Sequence, residues 1–230
     1  MIKAAVIGAG AWGTAIADLL AKKGHEVLLW AREAQVVTSI NEHHENTLFL
    51  PGITLTEALR ATDIMEHAVE GAALIVNVVP TQFIRATYAS LPAEKLPSSA
   101  IFVNASKGIE QETLYLVSQI FGEILPPFVA QRLVTLSGPS FAEEVIKGLP
   151  TSVTAAADDP ELAAQVAQWF HLPWFRVYTS DDPVGVQLGG ALKNVMAIAA
   201  GAVDGMGLGL NTRAAIITRV RSEIARVGLT

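Results

Sequence analysis

Cysteine is absent from the 230 residues of this chain. Without it the protein has no disulfide frame, no thiolate nucleophile and no cysteine-ligated metal, which is consistent with a reducing cytosol. Histidine occurs five times, and the adjacent pair His43 and His44 lacks the spacing to carboxylates that metal sites show. We therefore expect a solvated loop at this pair and no bound metal.

Charged residues are also scarce, since they make up 17% of the chain, and the formal net charge is −6. A nucleic-acid surface needs a basic face, so this balance excludes nucleic acid as a partner. The nearest approach to a long uncharged run, residues 71–84, contains Asn77 and Pro80 and predicts a buried strand and turn rather than a membrane span. Met1 precedes a strand pattern instead of a charged leader, so we expect no signal peptide and a cytoplasmic protein.

Hydrophobic residues make up 51% of the chain, which is enough for a substantial core. Up to Tyr178, short apolar runs alternate with segments of helical periodicity, as in a parallel sheet covered by helices. Predicted strands are 2–7, 26–30, 73–79, 100–104, 133–136, 151–157 and 175–178; predicted helices are 14–23, 33–41, 63–70, 81–91, 112–122 and 160–170; residues 41–54 predict a long polar loop. The alternation stops at Asp181. We expect an α/β domain of Rossmann type, with a doubly wound and mostly parallel sheet, over residues 1–182, followed by an all-α domain over 183–230.

The first predicted strand leads directly into a G-x-G-x-x-G motif at Gly8, Gly10 and Gly13, and a helix follows. In such motifs the first glycine allows a tight turn, the second lets the backbone approach a pyrophosphate, and the third lets helix and strand pack closely. The helix N-terminus then offers unpaired N–H groups and a positive dipole end to the phosphates. The motif and its flanking elements therefore predict a dinucleotide site.

Cofactor choice depends on the end of the second strand, where residues 31–33 read Ala-Arg-Glu. An acidic residue there binds the ribose hydroxyl of NAD, whereas an arginine binds the 2′-phosphate of NADP. Arg32 favours NADP or tolerance of both cofactors, while the alternative is a solvent-facing Arg32 with Glu33 on the ribose. Phe83, near the start of a predicted helix, lies either beside the nicotinamide or in the core.

Two further segments follow strand ends, where open α/β sheets bind their ligands. Lys107 comes after the predicted strand 100–104 and is placed to contact a phosphate or carbonyl oxygen, unless it is an ordinary surface lysine. Ser140 is expected to cap the helix that begins beside it, with Glu143 completing a capping box. That cap would direct the N–H groups of residues 140–142 at the same crevice.

Residues 183–204 predict a long helix whose apolar side chains surround it, so we expect it to be buried on most sides. Its glycines and alanines allow neighbouring backbones to come close. Lys193, followed by Asn194, is the one cation within this apolar stretch. A buried lysine needs a partner and acquires a lower pKa, which suits an acid or base. The alternative is that Lys193 extends to the edge of the helix surface or forms a structural ion pair. A second helix, capped by Asn211 and Thr212, is expected to follow a glycine-rich turn.

Six motifs together resemble one family. They are GAGAWGTA (8–15), NVVP (77–80), SKG (106–108), SGPSFAEEV (137–145), GVQLGGALKNV (185–195) and AAGAVDGMGLGLNTRAA (199–215). In this order they resemble NAD(P)-dependent glycerol-3-phosphate dehydrogenase of bacterial type. The resemblance implies hydride transfer between NADP or NAD and dihydroxyacetone phosphate, giving sn-glycerol 3-phosphate for phospholipid synthesis. We also expect a homodimer, because alanine- and glycine-rich helices left exposed in an incomplete helical domain would associate.

The resemblance, together with the glycine motif, assigns site residues. Lys193 and Lys107 are the implied catalytic residues. The expected cofactor-binding residues are Gly8, Gly10, Ala11, Trp12, Gly13, Arg32, Phe83, Lys107 and Ala142. The expected substrate-binding residues are Lys107, Gly138, Ser140, Lys193 and Asn194.

The chain departs from the family pattern in two places. Family members continue through further helices, which carry an aspartate, a threonine and an Arg-Asn pair for substrate, so we expect this chain to be C-terminally incomplete. Val220-Arg221-Ser222 also stands where the family has a glycine and smaller residues. Two alternatives stay open: another two-domain dehydrogenase acting on a hydroxyacyl-CoA or a sugar acid, and an NAD(P)-binding fragment without catalysis.

Overall fold

The computed structural model describes residues 1–228. The strands are β1 (Lys3–Ile7), β2 (Glu26–Trp30), β3 (Glu45–Asn46), β4 (Leu50–Thr54), β5 (Arg60–Thr62), β6 (Leu74–Asn77), β7 (Ile101–Asn104), β8 (Leu133–Ser137), β9 (Thr151–Ala156) and β10 (Phe175–Ser180). The α-helices are α1 (Ala11–Lys22), α2 (Ala34–His43), α3 (Met65–Val69), α4 (Ile84–Tyr88), α5 (Val117–Ile124), α6 (Pro127–Gln131), α7 (Ala142–Ile146), α8 (Pro160–Phe170), α9 (Pro183–Gly205) and α10 (Gly209–Val227). Thr81–Phe83 and Ala93–Lys95 are short 3-10 helices.

Eight strands form one twisted layer in the order β10-β9-β8-β7-β6-β1-β2-β5. Neighbouring strands are parallel except for β8 and β9, which are antiparallel. The predicted doubly wound, mostly parallel sheet is therefore confirmed. Strands β6 and β7 are buried along their whole length because helices cover both faces of the sheet, which explains their continuous apolar sequences.

Two apolar layers hold the helices against the sheet. On one face, Leu19 and Leu20 of α1 pack in a cluster with Phe170 of α8. On the other face, Tyr88 of α4 meets Phe121 of α5 edge to face, with ring centroids 5.3 Å apart. These layers fix the ends of the central strands, from which the loops of the site emerge.

The order of the strands reverses at β1, which lies between β2 and β6. Ile7 is in register with Trp30 on one side and with Asn77 on the other. The loops that leave these three residues therefore start at one edge and diverge, which opens a crevice beyond the carboxyl ends of the strands.

The polar loop predicted at residues 41–54 is wrong. This segment forms a two-stranded antiparallel ribbon of β3 and β4, with an irregular register between Glu45 and Asn46. The polar composition of the segment gave no sign of the ribbon, because Asn46 is fully buried through hydrogen bonds rather than apolar contacts. Strand β5 was also missed, since three residues at the edge of the sheet are too few to show a periodicity.

The helix predicted at 112–122 begins later, at Val117. The preceding residues are held in a turn, in which Leu114 has a left-handed backbone with φ of 60°. Glu110 organises this turn by accepting hydrogen bonds from Arg85 at 2.8 and 3.0 Å and from Thr113 at 2.5 Å. These donors lower the pKa of the Glu110 carboxyl, so the turn holds a stable anion.

The start of α9 is as predicted: Pro183 is its first residue, and the Asp182 carboxylate accepts a hydrogen bond of 2.7 Å from the Gly185 N–H. The predicted cap of the last helix is wrong. Helix α10 begins at Gly209, and the Thr212 hydroxyl donates to the Leu208 carbonyl at 3.0 Å instead of capping the helix. Gly209 has a positive φ of 81°, which lets the chain turn two residues earlier than expected.

The expected burial of α9 on most sides is wrong for the residues that the structure describes. Gln187, Leu188 and Val203 are its buried residues, whereas Ile198 is 73% exposed. The helix packs on β8, β9 and α10, and its remaining surface faces outward. Over residues 1–228, α9 is the one helix that is long and apolar enough to cross a membrane by length and composition, and 17% of its apolar window is buried. A single helix of this kind is weak support for membrane insertion.

Candidate active site

Two cavities lie beyond the carboxyl ends of the strands. The first, which we call the glycine cavity, has a volume of about 300 Å³ and includes Gly8, Gly10, Arg32, Glu33, Phe49 and Phe83 in its lining. The second, which we call the lysine cavity, has a volume of about 420 Å³ and includes Ser137, Gly138, Phe141, Gly190, Lys193 and Asn194 in its lining. Of the predicted site residues, Gly8, Gly10, Arg32 and Phe83 line the glycine cavity, and Gly138, Lys193 and Asn194 line the lysine cavity.

The glycine motif forms the floor of the glycine cavity. Gly8 has φ of 113°, and a Cβ at Gly13 would lie 1.8 Å from the Gly8 carbonyl oxygen, so neither position has room for a side chain. Among the described residues no side chain caps α1, whose N-cap is Gly10 and whose first turn carries no acidic residue. Its first N–H groups therefore face the cavity unpaired, and the site fits a dinucleotide pyrophosphate.

Arg32 and Glu33 stand side by side at the rim of the glycine cavity. The Arg32 guanidinium donates to the Glu33 carboxylate at 3.0 and 2.7 Å, while the Arg32 side chain is 80% exposed. A cation for a 2′-phosphate and an anion for a ribose hydroxyl are therefore both present. Phe83 is 59% exposed and lines the same cavity, so its alternative placement in the core is wrong.

Phe49 is a site residue that sequence reasoning missed. It lines the glycine cavity and also a neighbouring space of about 720 Å³, which Ala11 and Ala142 line as well. An exposed aromatic residue in a long polar segment was the available signal, because unpartnered aromatic side chains in loops often contact ligands.

Lys193 lines the lysine cavity, and Lys107 lies beside the lining residues Gly138 and Gly190. The Lys107 ammonium lies 3.5 Å from the Gly138 carbonyl oxygen and 3.4 Å from the Ser140 hydroxyl. The Lys193 ammonium lies 5.6 Å from the centre of the Phe141 ring, and the residue lines the cavity but is partly buried rather than enclosed as expected. Burial, and then the neighbouring Lys193 ammonium, lower the pKa of Lys107 to about 8.

The charges in this cavity suit an anionic ligand. Among the described residues that line it, none is acidic, and Lys193 has Asn194 beside it. Two amines near each other without a carboxylate are electrostatically unfavourable until an anion binds between them. The arrangement is suited to a phosphate and to a carbonyl oxygen that develops negative charge.

Trp12 connects the two cavities. Its indole N–H donates to the Ala105 carbonyl at 3.2 Å, which ties α1 to the loop after β7. The Lys107 ammonium lies 5.4 Å from the centre of the Trp12 ring, a distance typical of a cation–π contact. A ligand over the glycine motif would therefore reach the lysine cavity along Trp12.

Two glycines allow the close approach that brings the amines together. A Cβ at Gly190 would lie 2.4 Å from the Ser137 hydroxyl oxygen and 3.7 Å from Cγ of Lys107. Gly138 has φ of 157°, and a Cβ there would lie 2.9 Å from the Ser152 carbonyl oxygen. Helix α9 can therefore rest directly on the loops after β7 and β8.

The predicted capping box at Ser140 is wrong. Helix α7 begins at Ala142 with Phe141 at its N-cap, so Ser140 lies one residue too early to cap it. The Ser140 hydroxyl instead donates to the Gly138 carbonyl at 3.3 Å and contacts Lys107. Glu143 faces Lys147 at 3.9 Å. Ser140 therefore lies beside Lys107 and Gly138, next to the lysine cavity, rather than at a helix cap.

A buried polar network lies behind Lys107 and was not predicted. The Asn77 amide donates to Asn104 Oδ1 at 3.2 Å and to the Ser106 hydroxyl at 2.9 Å. The Ser106 hydroxyl in turn donates to the Val79 carbonyl at 2.5 Å. These bonds join the ends of β6 and β7 and fix the backbone that carries Lys107.

Comparison with known proteins places this geometry among dehydrogenases. A family model described as the NAD-dependent glycerol-3-phosphate dehydrogenase N-terminus matches residues 3–163, and the corresponding C-terminus model matches residues 182–230. A curated relative, the glycerol-3-phosphate dehydrogenase (NAD(P)+) of Citrifermentans bemidjiense, is 55% identical over 99% of this chain and 68% of its own length.

Solved structures agree with the sequence relatives. The crystal structure of glycerol-3-phosphate dehydrogenase from Coxiella burnetii is 34% identical with a TM-score of 0.84, and the match covers 98% of this chain and 68% of that one. The enzyme from Saccharomyces cerevisiae is 31% identical with a TM-score of 0.86, over 99% of this chain and 70% of that one.

Proposed function

This chain belongs to the NAD-dependent glycerol-3-phosphate dehydrogenase family, and on that premise we propose which of its residues perform the reaction. The chain is an oxidoreductase that uses NAD(P) to interconvert dihydroxyacetone phosphate and sn-glycerol 3-phosphate. The other dehydrogenase classes and the non-catalytic module are not favoured, because both family models describe this enzyme.

The proposal rests on one observation, the convergence of Lys107 and Lys193 at a cavity next to the glycine motif. Reduced nicotinamide supplies a hydride to the ketone carbon when it is bound. The ketone oxygen then gains negative charge, which the Lys193 ammonium stabilises before it gives up a proton to that oxygen. Lys107, Ser140 and Asn194 hold the substrate so that its oxygen points at Lys193.

Lys107 has a second role in this proposal. Its cation–π contact with Trp12 and its approach to Gly138 place it where the two cavities meet. With a pKa of about 8, it is largely protonated at neutral pH and can bind an oxyanion. Substrate binding should therefore weaken as the pH rises above about 8, because Lys107 then loses its charge.

The glycine cavity is proposed to hold the nucleotide half. Gly8, Gly10 and Gly13 leave room for the pyrophosphate. Phe83 lines this cavity, Ala11 and Ala142 line the neighbouring space, and Trp12 lies against Lys107. When NADP binds, the Arg32 guanidinium releases the Glu33 carboxylate and binds the 2′-phosphate instead. We expect Arg32→Ala to raise KM for NADPH by about tenfold and to change KM for NADH little, as measured by steady-state kinetics. An equal loss with both cofactors would contradict this role.

We propose three further properties at the level of the cell and the assembly. The product serves phospholipid synthesis, and the enzyme works in the cytoplasm, as the cysteine-free composition and the family support. The chain forms a homodimer through the apolar surface of α9 and α10, where Ile198 and Leu210 are 73% and 78% exposed. Sedimentation at several concentrations tests the dimer, and a monomer at all of them would refute it.

The proposed domain division at residues 182 and 183 agrees with where the second family model begins, at residue 182. It stays a prediction. Limited proteolysis tests it, because cleavage near Asp182 that leaves a folded fragment of residues 1–182 is expected from separate domains.

Oxidation of NADPH and NADH in the presence of dihydroxyacetone phosphate tests the activity directly. We expect oxidation that depends on this substrate, and little with hydroxyacetone, which lacks the phosphate that Lys107 would bind. Absence of oxidation with either cofactor would contradict the function, and equal rates with hydroxyacetone would contradict the role of the lysine cavity.

A further inference from the structure

Asn46 is a fully buried polar residue that no part of the proposed mechanism uses. Its exposed fraction is 0%, and it lies in β3 of the small ribbon, within the segment predicted to be a loop. A buried amide without hydrogen bonds destabilises a protein by a few kcal/mol, so its partners account for its presence.

The Asn46 side chain makes three hydrogen bonds to two different parts of the chain. Its Nδ2 donates to the Ala9 carbonyl at 2.9 Å and to the Thr14 hydroxyl at 2.8 Å. Its Oδ1 accepts from the Phe49 N–H at 3.1 Å. The Ala9 carbonyl and the Phe49 N–H have fixed polarity, so the orientation of the amide is settled by its partners.

Two of these partners, Ala9 and Phe49, line the glycine cavity. Ala9 lies between the first two glycines of the motif, and Phe49 lines the cavity from the ribbon. Thr14 lies in the first turn of α1, whose N–H groups face the same cavity. One buried amide therefore joins the glycine turn, the helix N-terminus and the ribbon that carries the aromatic wall.

We propose that Asn46 is a positioning residue for the dinucleotide, which sets cofactor affinity by holding the ribbon and the glycine turn at a fixed separation. The proposal rests on the proposed function, since it takes the glycine cavity as the nucleotide site. By accepting from Asn46, the Ala9 carbonyl is directed into the protein interior and away from the phosphates. Phe49 is held in the cavity wall by the same side chain.

The chain offers a control in Asn41, which is exposed where Asn46 is buried but has the same kind of amide–backbone contacts. Its Nδ2 donates to the Ala61 carbonyl at 3.0 Å and its Oδ1 accepts from the Ala61 N–H at 2.9 Å, so it is another amide that bridges to backbone. It joins α2 to β5 and lines neither cavity. Asn→Asp at either position keeps the shape and places a carboxylate oxygen against a carbonyl oxygen.

The experiment compares Asn46→Asp, Asn41→Asp and the unaltered chain. Thermal midpoints establish that each protein is folded, and tryptophan fluorescence then gives Kd for NADPH below those midpoints. We expect both variants to lose stability, but only Asn46→Asp to raise Kd for NADPH, by about tenfold or more. In turnover, KM for NADPH should rise while kcat at saturating NADPH and KM for dihydroxyacetone phosphate stay within about twofold.

A second variant covers the case in which Asn46→Asp does not fold. Thr14→Val removes the hydroxyl that Asn46 Nδ2 reaches, without adding charge or changing volume. We expect it to weaken NADPH binding several-fold and to increase amide hydrogen exchange in β3 and β4.

The positioning role is overturned if the folded Asn46→Asp or Thr14→Val variant binds NADPH as the unaltered chain does. It is also overturned if Asn41→Asp loses as much affinity as Asn46→Asp. Because binding is measured apart from turnover, failure of the proposed function has a different result: tight NADPH binding without reduction of dihydroxyacetone phosphate.

Discussion

Lys107 and Lys193 place two amines beside one cavity, although like charges repel. The cost of this arrangement shows in Lys107, whose pKa is lowered to about 8 first by burial and then by the Lys193 ammonium. A bound anion would relieve the repulsion. The repulsion between the two amines in the free protein is therefore consistent with a site that binds a phosphate-bearing ketone.

Replacing Lys193 by methionine should raise the pKa of Lys107 above about 8, because one of the two causes of the shift is removed. The value should stay below the ordinary 10.5, since burial remains and is the larger cause. The pKa of Lys107 can be measured from the rate of acetylation of each lysine as a function of pH, followed by mass spectrometry. Lys147, outside the lysine cavity, is the control. An unchanged profile for Lys107 would show that the two amines are not coupled.

The site residues that could be predicted from the sequence are those whose residue type is unusual for their surroundings. Lys193 is a cation within apolar surroundings, and Lys107 follows a strand end, so both stood out. Phe49 and Asn46 obey no spacing rule, because their roles depend on contacts across 35 or more residues, as between Asn46 and Ala9. Such contacts appear only once the fold brings the segments together.

Helix α9 approaches β8 closely at Gly190, whereas a Cβ at Gly201 on the same helix would meet nothing within 4 Å. Gly190→Ala places a Cβ 2.4 Å from the Ser137 hydroxyl oxygen, so either Ser137 rotates or the helix moves away from Lys107. We expect kcat/KM for dihydroxyacetone phosphate to fall by about tenfold or more, because small displacements of reacting groups are costly.

Gly201→Ala, also on α9 but outside the lysine cavity, is the matched control. A Cβ there meets nothing within 4 Å, so the change should raise the free energy of unfolding by up to about 1 kcal/mol through helix propensity. Activity should stay near that of the unaltered chain. Equal losses in the two variants would show that the close approach at Gly190 has no part in the site.

The elements that could be predicted are those whose burial is uniform. Strands β1, β6 and β7 are continuous apolar runs because they lie in the middle of a covered sheet, and the helices on its faces show a clear period. The ribbon of β3 and β4 and the edge strand β5 are too short for such a pattern. The exposed surface of α9 was misjudged because apolar composition does not reveal what packs against a helix.

His25 joins distant parts of the molecule away from the site. Its Nδ1 accepts from the Ile2 N–H at 3.4 Å, and its Nε2 donates to the Trp169 carbonyl at 3.0 Å, so it links the start of the sheet to α8. Burial lowers the pKa of His25 below its ordinary 6.5. The neutral imidazole is thus the form that the folded protein prefers.

Lowering the pH should therefore lower the free energy of unfolding through protonation of His25. As the pH falls through 6.5, the unfolded chain binds a proton at His25 before the folded chain does, so the free energy of unfolding falls until the lower folded pKa is reached. His25→Gln should flatten this dependence between about pH 7.5 and 5.5 in urea unfolding. The control is His67→Gln at an exposed position of α3, which should keep the slope. A slope retained in His25→Gln would contradict this account.

The most direct test of the whole proposal is the rate of a single turnover with NADPH and dihydroxyacetone phosphate at saturation, in the unaltered chain and in Lys193→Met. We predict that the rate falls by about 10²–10⁴-fold, as loss of a general acid does, while Kd for NADPH stays the same. A Lys193→Met protein that binds NADPH and reduces the ketone at the unaltered rate would contradict the assignment of Lys193 as the proton donor.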